Sequence, residues 1–220
     1  MQKLPFDVVV FDLDGTLADT APDIASSLNH VLGKLGRPTL PAEIIRSMVG
    51  HGTRALLRRG LAATGAENET LIDRAEPIYL DFYADHICDG SRAYDGIDAA
   101  LKDLKARGLK LAICTNKPER LTALLLDALG WQGRFDGIVG SDTLSVRKPD
   151  PATFREAVTR AGGGKAVMVG DSITDAETAR AAGVPFVAVS FGFRDRPVEE
   201  LGADAIIDDY SELIGVLGKL

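Results

Sequence analysis

Cysteine is scarce in this 220-residue chain: only Cys88 and Cys114 are present. They have neither the paired spacing of a zinc site nor the density of a disulfide scaffold. A chain of this length buries a core without such supports, so both thiols are read as reduced. Long hydrophobic runs are missing as well. The longest, Val8 to Phe11 and Val184 to Phe191, fall far short of the ~20 residues of a spanning helix. The opening Met1-Gln2-Lys3-Leu4-Pro5-Phe6-Asp7 has no basic stretch leading into a signal-length apolar run, and Asp12 interrupts the one candidate. A cytoplasmic location is therefore expected. Positive charge is in short supply too, with 25 basic against 32 acidic residues and a net charge of −7. That balance argues against nucleic acid and anionic membrane as partners. Internal repeats and low-complexity tracts are likewise lacking.

What is present is a rhythm. Short β-branched or apolar runs recur at Val8 to Phe11, Leu109 to Cys114, Gly137 to Val139, Ala166 to Val169, Val184 to Val189 and Ala205 to Ile207. Between most of them lie patterns of helical period, such as Ile97, Leu101, Leu104 and Ala176, Ala179, Ala182. Strands alternating with helices predict a doubly wound, Rossmann-like parallel sheet covered on both faces. One interval breaks the rhythm, because almost a hundred residues separate the first strand from the second, where about a dozen would suffice for a crossover. That interval has no strand run before about Ile87, but helical spacing in Ile24, Leu28, Val31, Leu32 and again in Ala55, Leu56, Ala62, Ala63. The expected organisation is an α/β core over residues 1–15 and 88–220, with an all-helical unit, residues 16–87, inserted after the first strand.

Ligands of parallel α/β sheets gather at the carboxyl ends of the strands, so the residues just after each run carry the functional information. The first run ends in Asp12-Leu13-Asp14-Gly15-Thr16, the second in Cys114-Thr115-Asn116 and the fourth in Gly170-Asp171-Ser172-Ile173-Thr174-Asp175; Lys148-Pro149 precedes the helix after the third. Asp-Gly alone is an ordinary turn signal. Asp-x-Asp-Gly-Thr, however, arises by chance in about one chain per ~10³ of this length at average usage, and a second fixed acidic pattern after a later strand makes coincidence negligible.

These segments, in this order, resemble the haloacid dehalogenase superfamily of phosphohydrolases over nearly the whole chain. The resemblance implies Asp12 as nucleophile, Asp14 as general acid and base, Thr115 and Asn116 as phosphate binders and Lys148 as charge neutraliser. Asp171, with Asp175 in support, completes a Mg²⁺ site shared with Asp12 and the backbone carbonyl of Asp14. The electrostatics ask for the same set. Four aspartates facing one lysine leave a strongly negative site that a phosphate ester cannot approach without a divalent cation, and an all-oxygen donor set selects magnesium over zinc. The residual negative charge would let Asp14 hold a proton. Amides of the Asp14-Gly15-Thr16 turn are expected to bind phosphate oxygens.

Within the superfamily, the dehalogenase branch lacks an acid two residues after the nucleophile, so Asp14 points to phosphoryl chemistry. The branches known for a cap lysine are not favoured either, because Lys34 is the only lysine from residue 16 to 87. The loop Arg46-Ser47-Met48-Val49-Gly50-His51-Gly52-Thr53-Arg54 is the richest part of the insertion. Its glycines admit close approach to a ligand, and arginine recognises small carboxylates, which makes Arg46, Gly50, His51 and Gly52 candidate substrate contacts alongside Gly15 and Thr16. This loop, with Thr115-Asn116-Lys117-Pro118 and Arg147-Lys148-Pro149-Asp150, resembles the bacterial phosphoglycolate phosphatases. The implied partner is a small phosphorylated metabolite, 2-phosphoglycolate, with sugar phosphates, nucleotides or pyrophosphate as alternatives; monomer and homodimer stay open. A phospho-aspartate signalling receiver is the rival from another class, but it lacks a cap and carries its phosphate on a central strand of the chain order. His30 and Trp131 are read as packing or surface residues, and His86 and Cys88 as part of the return from the insertion.

Overall fold

A computed structural model describes residues 3–193 and 196–220; Met1 and Gln2, assigned above to the core, and Arg194 and Asp195 lie outside the described residues. β1 (Val8–Phe11) leads through β2 (Ala18–Asp19) into α1 (Ala21–Lys34), α2 (Ala42–Arg46), α3 (Thr53–Thr64) and α4 (Glu69–Asp85). The chain returns through β3 (Arg92–Ala93) and then alternates as α5 (Ile97–Ala106), β4 (Lys110–Cys114), α6 (Glu119–Ala128), β5 (Gly137–Val139), α7 (Pro151–Arg160), β6 (Ala166–Gly170), α8 (Ile173–Ala182), β7 (Phe186–Val189), β8 (Ala205–Ile207) and α9 (Leu213–Leu217). Among the described residues, six parallel strands form one sheet in the order β5-β4-β1-β6-β7-β8. Two strands start later than their apolar runs. The Leu109 amide is still bonded to Leu104 at the end of α5, and the Val184 amide to Ala179 at the end of α8, so neither residue can join the ladder.

The period of two along each strand divides the sheet into two cores. Val9, Phe11, Leu111, Ile113, Val167 and Val169 face α5, α6 and α9, while Val8, Val10, Ala112, Cys114, Ala166 and Met168 face α7 and α8. Every β1 residue is buried, which explains why that strand reads as a continuous apolar run rather than an alternation. Burial of such side chains, worth ~1.5–3 kcal/mol each, helps offset the cost of gathering buried carboxylates at the strand ends. Trp131 is buried in the first core with its indole N–H donating to Asp98, and His30 stacks on Phe82. Trp131 is a packing residue and His30 a half-buried one, both within the expectation.

The insertion is helical throughout its middle and has its own core, built from Leu28, Leu32, Ile45, Leu57, Leu61, Ile72, Tyr79 and Tyr83, joined by Leu121 of α6. At Gly60 an added Cβ would lie 2.8 Å from the Leu28 methyl groups, so glycine is what lets α3 pack closely on α1. The spacing in the sequence reveals α1 and α3 but not α4, where Pro77 interrupts the pattern of Ile72, Ala75, Tyr79 and Tyr83. We propose residues 16–87 as the cap unit. Its connections to the core run side by side as the antiparallel β2–β3 pair, Ala18 opposite Ala93 and Asp19 opposite Arg92. The buried Asp23 carboxylate clips the joint by accepting from the Gly90 amide at 2.8 Å and the Ser91 amide at 2.7 Å. No helix among the described residues is long and apolar enough to cross a membrane.

Candidate active site

The strand order reverses between β1 and β6: from β1 the chain builds outward through β4 and β5, then returns to β6 on the other side. A crevice outside the carboxyl ends of the strands is expected at that switch point. Asp12 follows β1 there and Asp171 follows β6. Together with Asp175 they form a buried triad whose ligand oxygens lie within 4.8 Å of one another.

Lys148 sits in the middle of this charge. Its ammonium is 2.9 Å from Asp12 Oδ1 and 2.6 Å from Asp175 Oδ1, and its side chain is 1% exposed. Burial works against its charge, but Asp12 and Asp175 outweigh it and hold its pKa above the ordinary lysine value. Burial also pushes Asp12 up to about 7, with Asp175 and Asp14 adding to the rise and Lys148 opposing it. Asp171 is raised well above the usual carboxylate range, first by burial and then by Asp175 and Asp12. Despite the nearby ammonium, Asp12 Oδ1 accepts no hydrogen bond of normal geometry. A buried carboxylate with an oxygen lacking a hydrogen bond, held among other buried carboxylates, is an arrangement suited to a hard divalent cation.

Asp175 is positioned by its own helix. It closes a capping box with Ser172 at the start of α8, and its Oδ2 accepts from the Asp171 amide, the Ser172 amide and the Ser172 hydroxyl. With Oδ1 on Lys148, both oxygens of Asp175 are engaged. Asp171 is oriented from the opposite side: its Oδ1 accepts from Thr16 Oγ1 at 3.2 Å and its Oδ2 from the Phe193 amide. Gly15, at φ +83°, lets the turn after β1 press against it, since a Cβ there would lie 2.4 Å from Asp171 Oδ2.

The Gly15 and Thr16 amides of the turn behave differently from the expectation. The Gly15 amide donates to Ala18 O at 2.9 Å and the Thr16 amide to Leu13 O at 3.3 Å, because a chain reversing this tightly satisfies its own backbone first. Thr16 directs its hydroxyl at Asp171, and its carbonyl accepts from Tyr210.

Asp12, Asp14, Thr115, Asn116, Gly50 and Gly52 converge on one pocket, roofed by Val49, Thr53 and Leu56 of the insertion and walled by Ile24, Tyr79, Tyr83 and Leu121. Thr115 Oγ1 accepts from the Lys117 amide at 3.2 Å, leaving its proton to donate. The Asn116 amide group donates to Gly50 O at 3.2 Å and to Lys148 O at 3.3 Å. Its side-chain N–H groups therefore brace the cap loop and the Lys148 loop. His51 Nδ1 lies 3.0 Å from Thr174 Oγ1 on α8. Arg46 is paired with Asp19 at 3.1 Å and lies over the Phe193 ring, 4.5 Å from its centroid. Arg54 is held by Glu69, Asp73 and Glu76 of the insertion.

Lys117 is the site residue missed by sequence reasoning. It is buried, donates to Asp14 Oδ1 at 2.9 Å and to the Tyr83 hydroxyl, and lies 4.3 Å from the Tyr83 ring centroid. Thr20 Oγ1 donates to the same Asp14 oxygen at 2.7 Å. The second ammonium corrects the charge count: four aspartates face two lysines, so the excess negative charge of the site is smaller than expected. The strand-end rule could have found Lys117, which directly follows Thr115-Asn116. Nothing local could have found Tyr83, 34 residues away.

Comparison with known proteins agrees with this geometry. A sequence model of the family described as haloacid dehalogenase-like hydrolase matches residues 9–189. A protein named phosphoglycolate phosphatase from Caulobacter vibrioides is 44% identical over 212 residues, covering 93% of this chain and 88% of its own length. One of the same name from Mesorhizobium japonicum is 44% identical over 209 residues, covering 94% of this chain and 92% of its own. Among solved structures, a predicted phosphoglycolate phosphatase from Haemophilus somnus superimposes with a TM-score of 0.90 at 29% identity, covering 96% of this chain and 97% of that one.

Proposed function

The chain belongs to the haloacid dehalogenase-like hydrolases, and from that premise we propose that it hydrolyses 2-phosphoglycolate to glycolate and phosphate through a phosphorylated Asp12. The observation that carries this reading is the convergence of Asp12, Asp14 and Thr115 on a single pocket closed by the helical insertion. Relatives named phosphoglycolate phosphatase support the substrate.

In this mechanism Asp12 attacks phosphorus in line and the ester oxygen leaves on the opposite side, where Asp14 supplies its proton. Asp14 then takes a proton from the water that cleaves the aspartyl phosphate. Lys148 and the Thr115 hydroxyl stabilise the equatorial oxygens, the main source of catalysis in phosphoryl transfer. Asn116 positions the cap loop and Lys148. Asp12, Asp171 and the Asp14 carbonyl would hold Mg²⁺, with Asp175 orienting them. When bound, the ion supplies charge neutralisation that admits the phosphate dianion.

The substrate assignment is tested by specificity constants for 2-phosphoglycolate, ribose 5-phosphate, a nucleoside monophosphate, pyrophosphate and ethyl phosphate, each with Mg²⁺. 2-Phosphoglycolate should lead by at least about tenfold; a sugar phosphate or nucleotide in first place overturns the assignment.

The metal assignment has a readout independent of turnover. Asp12 is raised from an ordinary carboxylate value to about 7 in the folded state, so the folded protein holds a proton that the unfolded chain has released. The metal-free protein therefore loses stability as pH rises from about 4 to about 7, and the loss is complete above that. Mg²⁺ competes with that proton. At about 100 Kd it should raise Tm by roughly 5–10 °C at pH 8, and by clearly less at pH 5.5, as followed by thermal melts with and without chelator. An equal rise at both pH values would move the metal away from this triad.

A further inference from the structure

Lys117 is the one cation among the described residues lining the pocket. Lys148 lies beneath it, enclosed by Asp12 and Asp175, while Arg46 and Arg54 are committed to carboxylates outside it. An ammonium has three N–H donors, and two of those on Lys117 have partners, Asp14 and Tyr83. Resting on the 2-phosphoglycolate reading above, we propose that Lys117 recognises the carboxylate of the leaving group, so that this pocket selects a phosphorylated short-chain carboxylic acid over an uncharged alkyl phosphate.

Geometry places the carboxylate there. To receive its proton, the ester oxygen must lie within hydrogen-bond reach of Asp14, and Lys117 Nζ is 2.9 Å from Asp14 Oδ1. In a two-carbon acid the carboxylate is attached through a single methylene, which sets it beside that ammonium. No other lining residue carries a positive charge: Thr53, Tyr79 and Asn116 are neutral. Ile24, Val49, Leu56 and Leu121 are apolar, and a carboxylate buried against them without a cation would pay a large desolvation penalty. Tyr83 comes from the insertion and touches Lys117, so the ammonium meets the substrate where cap and core close together.

The test compares 2-phosphoglycolate with ethyl phosphate, which matches it in length but has no carboxylate, on wild type, Lys117→Met and Lys117→Gln with Mg²⁺ present. The wild type should favour 2-phosphoglycolate, and in both variants the ratio of the two kcat/KM values should fall by about 10²-fold, chiefly through KM for the carboxylated ester. Glutamine can still donate to Asp14 and Tyr83, so it serves if the methionine variant fails to fold. If the wild type is selective but the variants lose activity on both esters equally, Lys117 only positions Asp14 and the proposal is overturned while the substrate reading stands. If the wild type shows no preference, the substrate reading itself fails and the proposal with it.

Discussion

Asp12→Asn is expected to abolish phosphate release from every ester, a loss on the order of 10⁴-fold or more in kcat, without unfolding the protein. The amide matches the carboxylate in shape but cannot attack phosphorus. It is also an easier group to bury. Asp12 is pushed up to about 7 by burial and by its acidic neighbours, so above that pH the wild type carries a charge there that its surroundings disfavour. Lys148 keeps a counter-ion in the variant, since Asp175 remains at 2.6 Å. At pH 8 without metal, Asp12→Asn should therefore melt no lower than the wild type while releasing no phosphate. Turnover near the wild-type rate, in a preparation free of contaminating phosphatase, would remove Asp12 as nucleophile.

The second large effect concerns Asp14 and depends on the leaving group. Asp14→Asn keeps an oxygen that can accept from Thr20 and Lys117, and it keeps the backbone carbonyl assigned to the metal, so binding should survive. What it loses is proton transfer. An alkoxide leaves phosphorus poorly without a proton, and hydrolysis of 2-phosphoglycolate should fall by ~10² to 10⁴-fold. A phenolate needs far less help. With an aryl phosphate the variant should release a burst of about one phenolate per site and then stall, because no base activates the water that frees Asp12. Equal losses in the burst phase for alkyl and aryl esters would make Asp14 a structural or metal residue only. That outcome would leave Asp14 as the partner that holds Lys117 and Thr20 in place.

The sequence by itself determined the alternation of strands and helices. Strands buried on both faces, such as Val8–Phe11, must be apolar at every position, and that leaves a signal within a handful of residues. It also determined Asp12, Asp14, Thr115, Asp171 and Asp175 as candidates, because a strand-end site writes its residues as short contiguous strings. The hundred-residue gap after the first strand announced the insertion. The tertiary structure alone decided what meets what. Strand order brings β1 beside β6, which is why Asp12 and Asp171, far apart in the chain, share one cluster. It decided that Lys148 bridges Asp12 and Asp175 and that Asp175 spends its second oxygen on the capping of α8. It decided that Arg46 pairs with Asp19, that the Gly15 and Thr16 amides close their own turn, and that Lys117 joins Asp14 to Tyr83 of the insertion. These outcomes depend on which donors are left free once helices, turns and ion pairs have formed, and that competition is settled between groups tens of residues apart, where local sequence carries no record of it.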